Sequence, residues 1–310
     1  MPYVRATDIA YGRLQSPSLD EAEEFLVDFG MQRAERTARA LYMRGTDSPH
    51  HIHVTHLGPN KFVGLAFYVE NEEELAKFAK APGASGIEHL DEPGGGKRVR
   101  VTDPHGYQLE VVCGMQQLAP LPIRKSVLNT GEAKLRRAGE LTRLKAGPSE
   151  VKKISHAVIM TPHAQEGVRW MREMIGLVCS DEVYAGERSN IIASFNRCDR
   201  GETYVDHHVF LCIQGPKTGI NHLSFEVQSF DDVMLGHEHM RRAGKYEHVW
   251  GIGRHVLGSQ VFDYWRDPYG YALEHWTDGD LLTAASGSNV TSIADLLGVQ
   301  WGPAAPPTMA

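Results

Sequence analysis

The chain has 310 residues, 42% of them hydrophobic and 23% charged, which is the composition of an ordinary soluble globular protein. Its 32 basic and 39 acidic residues give a net charge of −7, so a nucleic-acid partner is not expected. The N-terminus has no apolar signal region and no apolar run is long enough to cross a membrane. A cytoplasmic protein without a membrane partner is therefore expected.

The length favours two domains. The first half begins with a predicted strand at residues 9–14, followed by a helix for which Ser18 is a candidate N-cap. Glu21 stands at the capping-box spacing from Ser18, and Gly30 is predicted to end the helix. The remaining predicted elements are strands near 39–44, 51–57 and 63–69, a helix beginning at Asn71, and strands near 98–101 and 107–112.

A connector at 116–150 separates the halves, and its stretch 131–145 is predicted to form a short basic amphipathic helix. In the second half, Thr161 and Pro162 are predicted to cap a helix that ends at Gly176. The remaining predicted elements are strands near 190–196, 207–213 and 221–227 and a helix capped by Ser229 with Asp232. The predicted organisation is a first domain at 1–115, the connector, a second domain at 151–278 and a tail at 279–310 that lies over a neighbouring surface.

The two halves are duplicates of one another. Residues 103–110 and 267–274 match at six of eight positions, and 9–17 and 62–69 align with 154–162 and 220–227 in the same order. Within each half, the pattern of a strand, a helix and several strands occurs twice. The sequence therefore predicts an α+β protein with two tandem domains, each built from two βαβββ modules.

The duplication keeps the strands but changes the chemistry at two of three aligned positions. The aligned pairs are Tyr11 and His156, Gly64 and His222, and Glu110 and Glu274. Two histidines and a carboxylate therefore come together in the second half only. This set is typical of the ligands of non-haem Fe(II) oxygenases, although it also suits Zn(II) with a bound water.

Alternation along residues 220–227 supports this convergence. Leu223, Phe225 and Val227 share one face of the strand, so His222 points to the opposite, polar face. The four cysteines lack CxxC spacing and are expected to be reduced thiols that take no part in a metal site.

The C-terminal stretch resembles the signature of type I extradiol ring-cleaving dioxygenases of the vicinal oxygen chelate superfamily. The residues that carry the resemblance are Gly253, His255, Phe262, Tyr264, Asp267, Pro268, Gly270 and Glu274. The resemblance covers nearly the whole chain. It implies that each domain curls into an open barrel and that the chain cleaves a catechol-type substrate with O₂.

The resemblance also implies roles for particular residues. Its metal ligands are His156, His222 and Glu274, which would hold Fe(II), with Mn(II) as the alternative. Its catalytic residues are His208, His255 and Tyr264. A homo-oligomer, a tetramer or larger, is expected on the same ground.

Several details accompany these expectations. The segment 205–213 is predicted to be one strand, so only one of the adjacent His207 and His208 can face the metal. The resemblance assigns that position to His208, which leaves His207 facing away. Asp263 stands where the family usually has an aliphatic or aromatic residue, which bears on the packing of Tyr264 or the substrate preference.

The remaining histidines are assigned lesser roles. The N-terminal group is expected to bind at most adventitious metal; it consists of His50, His51, His53 and His56. His237 and His239 are expected to be solvent-exposed on a helix, and His248 or Trp250 to line the substrate pocket.

Two other functions stay open on the sequence alone. One is another metal enzyme of the same superfamily, such as a glyoxalase-like isomerase or lyase. The other is a metal-free binding protein of the bleomycin-resistance type, against which the retained ligand set argues.

Overall fold

The computed structural model describes residues 1–307 and contains one large sheet in each half of the chain. The N-terminal half consists of β1 (Asp8–Ser16), α1 (Leu19–Phe29), β2 (Gln32–Arg36), β3 (Ala40–Arg44), β4 (His53–Leu57), β5 (Lys61–Tyr68), α2 (Glu72–Phe78), β6 (Glu88–His89), β7 (Lys97–Thr102) and β8 (Gln108–Cys113). Its eight strands form a sheet in the order β2-β3-β4-β1-β5-β8-β7-β6.

The C-terminal half repeats this plan. It consists of β9 (Val151–Thr161), α3 (Ala164–Ile175), β10 (Leu177–Tyr184), β11 (Ile191–Cys198), β12 (Val205–Asp206), β13 (Phe210–Gln214), β14 (Gly219–Val227), α4 (Phe230–Ala243), β15 (Glu247–His255), β16 (Val261–Arg266), β17 (Ala272–Thr277), β18 (Leu281–Leu282), β19 (Asn289–Ser292), α5 (Ile293–Leu296) and β20 (Val299–Trp301). Ten strands form a sheet in the order β19-β10-β11-β13-β9-β14-β17-β16-β15-β20, and β12 pairs separately with β18. None of the described helices is long and apolar enough to cross a membrane.

Each half contains two modules in which a strand and a helix precede three further strands. The first and last strands of a module pair in parallel, as β1 does with β4 and β14 with β17. The two modules of a half meet through antiparallel pairs, β1 with β5 and β9 with β14. The predicted α+β fold of four βαβββ modules is therefore confirmed.

The predicted helix caps are confirmed in three of four cases. The side chains of Ser18, Asn71 and Ser229 each accept the backbone N–H of the residue three positions later. The prediction for α3 was wrong, since its N-cap is His163 and no side chain caps it. Strand β9 extends to Thr161, so the helix begins later than the Thr-Pro pair suggested.

The predicted connector helix is absent from the described chain. Residues 134–139 form successive turns instead, with i to i+3 backbone hydrogen bonds such as Ala138 N–H to Leu135 O. Leu135 and Leu141 are each 79% exposed, so the segment has no surface on which to bury an apolar face. Because short helices are marginal without such packing, propensity alone does not form one here.

The tail extends both edges of the C-terminal sheet. Strand β19 pairs in parallel with β10, and β20 pairs antiparallel with β15. Between them, α5 packs against β10 and β19. The surface over which the tail lies is thus that of its own domain.

One apolar core joins the two halves. Phe25 and Phe29 of α1 pack in the same cluster as Phe225 of β14, with the Phe29 and Phe225 rings 5.9 Å apart. His275 stacks on Phe29 at 3.6 Å, and its Nε2 lies 2.5 Å from the Phe29 carbonyl oxygen. Each buried phenylalanine contributes roughly 2 to 3 kcal/mol through its apolar surface, so the interface between the halves belongs to the folding core.

Candidate metal centre

Strand register brings the three predicted ligands together. Ser224 of β14 is paired with His156 of β9 on one side and with Glu274 of β17 on the other. These three residues therefore stand abreast on the barrel interior. His222 lies two residues before Ser224 and shares its face of the strand, since side chains alternate.

The donor atoms of these side chains face one point. The Nε2 atom of His156 lies 3.1 Å from Oε2 of Glu274 and 3.3 Å from Nε2 of His222. The Nε2 atom of His222 lies 3.6 Å from the same carboxylate oxygen. All three residues are buried, and Glu274 is fully so. We call this group the main centre.

Electrostatics show that the main centre fits a cation. Neither oxygen of Glu274 receives a hydrogen bond of acceptable geometry from the described residues. Burial raises the pKa of Glu274, but the imidazoles of His156 and His255 outweigh it and hold the pKa well below its usual value. Burial lowers the pKa of His222 to about 3, so its imidazole is neutral, as a metal ligand must be.

Asn221 orients one of the ligands. Its Oδ1 lies 2.8 Å from Nδ1 of His222, and because an amide oxygen is only an acceptor, Nδ1–H of His222 donates this hydrogen bond. The Nε2 atom of His222 then carries the lone pair that a metal ion requires.

The N-terminal half also buries a carboxylate at the aligned position, but pairs it with a different group. Tyr11, Ala66 and Glu110 stand abreast in the register of the main centre. The Arg13 guanidinium Nε lies 2.8 Å from Glu110 Oε1, and the Tyr11 hydroxyl donates to Oε2 at 2.6 Å. A Cβ atom on Gly64 would lie 1.9 Å from the backbone oxygen of Gln108, so no ligand fits there. This half neutralises its buried carboxylate with an arginine.

His255 and Tyr264 lie beside the main centre. The Nε2 atom of His255 is 3.1 Å from the Tyr264 hydroxyl and 3.5 Å from Oε1 of Glu274. Tyr264 is paired in register with Glu274 on the neighbouring strand. Burial, reinforced by the charge of Glu274, raises the pKa of Tyr264 well above its usual value, so its phenol keeps its proton.

The segment around His208 differs from the prediction. The single strand expected at 205–213 is wrong, because β12 ends at Asp206 and β13 begins at Phe210. His208 nevertheless packs against His156, with ring centroids 4.0 Å apart, and lines the cavity. The His207 side chain points towards Asp181. Both histidines lie in the irregular segment between β12 and β13 and not in a strand.

A chain of buried hydrogen-bonding groups leads from His208 to a carboxylate. The Nδ1 atoms of His208 and His207 are 3.1 Å apart, and Nε2 of His207 lies 2.6 Å from Oδ2 of Asp181. The carboxylate accepts the Nε2 proton of His207, which makes Nδ1 of His207 the acceptor for His208. The Nε2 atom of His208 is then left with a lone pair. Sequence reasoning missed Asp181, since nothing in its local sequence links it to His207.

An apolar cavity opens from the main centre, with an empty volume of about 540 Å³ including its mouth. Its lining also contains residues that sequence reasoning missed, namely Phe195, Leu211, Asn221, Gln260, Leu296 and Leu297. The last two belong to the tail. Of the two residues expected to line the pocket, Trp250 does so and His248 does not.

The remaining histidines are more buried than expected. The prediction that His237 and His239 are solvent-exposed was wrong, because both are half-buried and contact carboxylates. His237 contacts Asp263, and His239 contacts Asp28 of α1. Within residues 1–307, the N-terminal histidines form no group with metal-site geometry.

Comparisons with known proteins agree with this geometry. The profile of the Glyoxalase/Bleomycin resistance protein/Dioxygenase superfamily matches residues 153–275, which include all three proposed ligands. The chain is 29% identical to Metapyrocatechase 2 of Cupriavidus necator, over 94% of this chain and 88% of that protein. It is 22% identical to a manganese-dependent 2,3-dihydroxybiphenyl 1,2-dioxygenase of Geobacillus genomosp. 3, over 87% and 84% of the two chains.

Two solved structures share the fold over nearly the whole chain. One is a Mn(II)-bound glyoxalase from Novosphingobium aromaticivorans, with a TM-score of 0.79, 23% identity, and 99% and 94% of the two chains covered. The other is homoprotocatechuate 2,3-dioxygenase from Brevibacterium fuscum in complex with 3,4-dihydroxyphenylacetate, with a TM-score of 0.78, 20% identity, and 99% and 93% covered.

The chain shares its fold with these structures, and residues 153–275 match the model of the Glyoxalase/Bleomycin resistance protein/Dioxygenase superfamily. The resemblance to extradiol dioxygenases is confirmed by the named dioxygenases among the relatives, and with it the predicted class of enzyme.

Proposed function

We propose that this chain cleaves the aromatic ring of a catechol-type substrate beside its two hydroxyl groups, using O₂ and a divalent iron ion. Both oxygen atoms enter the product, a muconic semialdehyde-type compound. Manganese is the alternative metal, since two of the similar proteins are named for it.

The observation that carries the proposal is the composition of the main centre. A fully buried carboxylate and two imidazoles converge, and no lysine or arginine among the described residues pairs with the carboxylate. Such a carboxylate is costly to bury unless a cation pairs with it. His156, His222 and Glu274 would hold the ion on one side and leave its other side to the cavity.

A divalent iron ion bound there supplies a Lewis-acid site for the catechol oxygens and a path for electrons from the ring to O₂. The protein supplies position and protons. Trp250, Phe195 and Leu211 give the cavity apolar walls that exclude water from the reacting ring. His255 and Tyr264 are within hydrogen-bond distance of each other, and the protonated phenol can donate to a catechol oxygen.

His208 is proposed to accept a proton from the bound substrate and to return it during ring cleavage. Its Nδ1 is engaged by His207, so its Nε2 is the nitrogen that can accept a proton and return it. The required position, beside both His156 and the cavity, is the one that His208 occupies.

A glyoxalase-like reaction is the second candidate, because one of the similar structures is a glyoxalase. The set of His208, His255 and Tyr264 favours ring cleavage. These three residues line an apolar cavity that also contains Trp250 and Phe195, which suits a flat aromatic diol better than a flexible hemithioacetal.

The test is oxygen uptake after anaerobic loading with Fe(II), using a panel of substituted catechols. A yellow product that forms without NADH or another reductant is expected, because the ring supplies all four electrons for O₂. A cis,cis-muconate product, formed by cleavage between the hydroxyl groups, would contradict the proposal. Manganese loading in parallel distinguishes the two metals.

We also propose that identical chains assemble in the cytoplasm. Exposed leucines on the connector, Leu128, Leu135 and Leu141, support an assembly, and the four unpaired cysteines suit a reducing compartment. Light scattering on the purified protein tests the assembly. A measured mass equal to that of one chain would contradict it.

A further inference from the structure

A second group of metal-ligating side chains lies on the other side of the sheet from the cavity. It consists of His237 on α4, His248 on β15 and Asp263 on β16, and we call it the outer cluster. One donor atom from each residue lies within 4.8 Å of the others. Asp263 directly precedes Tyr264, which lines the cavity, so the alternation of the strand turns Asp263 towards α4.

The distances in the outer cluster are those of a ligand set. The Nε2 atom of His248 lies 2.8 Å from Asp263 Oδ1, and Nδ1 of His237 lies 3.1 Å from both carboxylate oxygens. Donors bound to one tetrahedral zinc ion are about 3.3 Å apart, given bond lengths of about 2.0 to 2.1 Å. The main centre has the same composition and comparable separations of 3.1 and 3.6 Å.

Asp263 is a buried carboxylate in contact with two imidazoles. Its side chain is fully buried, and its ion-pair contacts within residues 1–307 are His237 and His248. No lysine or arginine in the described chain pairs with it, in contrast to Glu110, which has Arg13.

A further contact fixes the carboxylate in the orientation that a ligand needs. The indole N–H of Trp265 donates to Oδ2 of Asp263 at 2.6 Å and leaves Oδ1 directed at the histidines. Hydrogen bonds of this kind hold metal ligands in place and set their basicity. The His248 side chain is 31% exposed, so an ion has a route in and water can be the fourth ligand.

We propose that the outer cluster binds a second divalent transition-metal ion of the zinc class. Two imidazoles and one carboxylate select Zn(II) or Co(II) over Mg(II) and Ca(II), which prefer oxygen ligands alone. The ion joins α4 to β15 and β16, the two strands that carry His255 and Tyr264. Its role is to stabilise that part of the barrel.

Zinc binding by the full-length protein tests the proposal, with Zn(II) alone as the probe. The metal-free wild type, Glu274→Gln, Asp263→Asn and the double variant are dialysed against zinc, and bound metal is counted by mass spectrometry. The expected result is two ions for the wild type, one for each single variant and none for the double variant. His239→Gln removes a histidine of the same helix outside the cluster and should keep two.

Thermal denaturation gives an independent readout. Zinc should raise the melting temperature of Glu274→Gln and leave that of the double variant unchanged. His248→Gln, at a partly exposed position, repeats the Asp263→Asn experiment if the latter variant fails to fold.

The proposal is overturned if folded Glu274→Gln retains no zinc, or if it retains one ion that survives the loss of both Asp263 and His248. In the first case the outer cluster is a hydrogen-bonded brace without a metal. Neither result affects the proposed ring cleavage, which depends on the main centre.

Discussion

At the scale of single residues, comparison of the two halves predicted which three side chains converge and missed Asp181, which contacts His207. His156 and His222 stand out because the aligned positions in the other half are Tyr11 and Gly64. Asp181 gave no such signal, because it lies 26 residues from His207 and the contact exists only in the folded chain. Alternation along a strand predicted opposite directions for His207 and His208. The two side chains do point to different groups, but their directions are set by an irregular segment between β12 and β13.

Replacing the two aligned glutamates should destabilise the metal-free protein to different extents. The imidazoles of His156 and His255 hold the pKa of Glu274 well below its usual value, so Glu274→Gln should lower the free energy of unfolding at neutral pH, by on the order of 1 kcal/mol. Glu110→Gln leaves the buried Arg13 without its full partner, at a cost of roughly 3 kcal/mol. Urea denaturation of both variants measures the difference.

Metal content supplies the control for this pair. Glu274→Gln should lose the iron of the main centre, and Glu110→Gln should retain it in the folded protein. Retention of iron and ring-cleavage activity by Glu274→Gln would remove Glu274 from the ligand set.

The hydrogen-bonded chain behind His208 should influence the rate but not binding. His208→Phe should keep its metal and lose about 10²- to 10⁴-fold in kcat, the usual contribution of a positioned acid–base group. A His207 that faced away from the metal, as the sequence predicted, would give His207→Phe only a mild packing effect. The contacts of His207 with Asp181 and His208 predict instead a loss of about 10-fold or more in kcat, because the His208 tautomer is no longer fixed.

His50→Phe is the matched control for His207→Phe. The Nδ1 atoms of His50 and His51 are also 3.1 Å apart, so the N-terminal half contains the same pair of rings. That variant should leave kcat and KM unchanged. Steady-state kinetics with one catechol, alongside iron analysis, decides the matter; equal kcat values for His207→Phe and the wild type would show that the contact is structural only.

At the scale of secondary structure, local chemistry predicted most elements well. Side-chain caps at Ser18, Asn71 and Ser229 set three helix starts, and alternating apolar residues set the strands. The prediction of a helix in the connector was wrong, because the residue pattern contains no information on what the segment packs against. For the same reason, the tail strands β19 and β20 could not be assigned: their stability comes from the sheet edges that they extend.

The two Asp-Pro turns allow a matched test of how an element positions a ligand. The Oδ1 atom of Asp267 accepts the backbone N–H groups of Tyr269 and Tyr271 at 2.9 and 2.8 Å. Asp103 makes the same pair of contacts in the other half. Replacing either aspartate by alanine should cost roughly 2 kcal/mol or more of stability, since both hydrogen bonds are lost.

The two variants should differ in metal affinity. The Asp267 turn leads directly into β17 and Glu274, whereas the Asp103 turn leads to Glu110, so only Asp267→Ala should weaken iron binding. Calorimetry and iron titration are the measurements. An equal loss of affinity in both variants would mean that the metal responds to overall stability and not to the local turn.

At the scale of the whole molecule, the duplicated halves form one folding unit. The core cluster that contains Phe29 also contains Phe225, and backbone hydrogen bonds join the halves, for example Thr46 N–H to Val151 O. A Cβ atom on Gly12 would lie 2.7 Å from the side chain of Leu223, which indicates how closely β1 approaches β14.

Heat should therefore unfold the protein in a single transition. A fragment of residues 151–310, although it contains every ligand of the main centre, should expose the Phe225 side of its core and fail to bind iron stably. Differential scanning calorimetry of the full chain and metal analysis of the fragment test both statements. Two separated heat-absorption peaks would show that the halves fold independently.

The position of the tail bears on how substrate preference can change among related chains. Leu296 and Leu297 close the cavity from a segment that lies outside the duplicated modules, and β20 anchors that segment beside His255. The ligands and proton-handling groups sit on strands whose register must be preserved, so mutations there are constrained. Leu296 and Leu297 lie between β19 and β20, so their bulk can change while both strands keep their pairing. Under the proposed function, relatives of such a chain can accept different ring substituents by changing these two positions, with the residues proposed for metal binding and proton transfer unchanged.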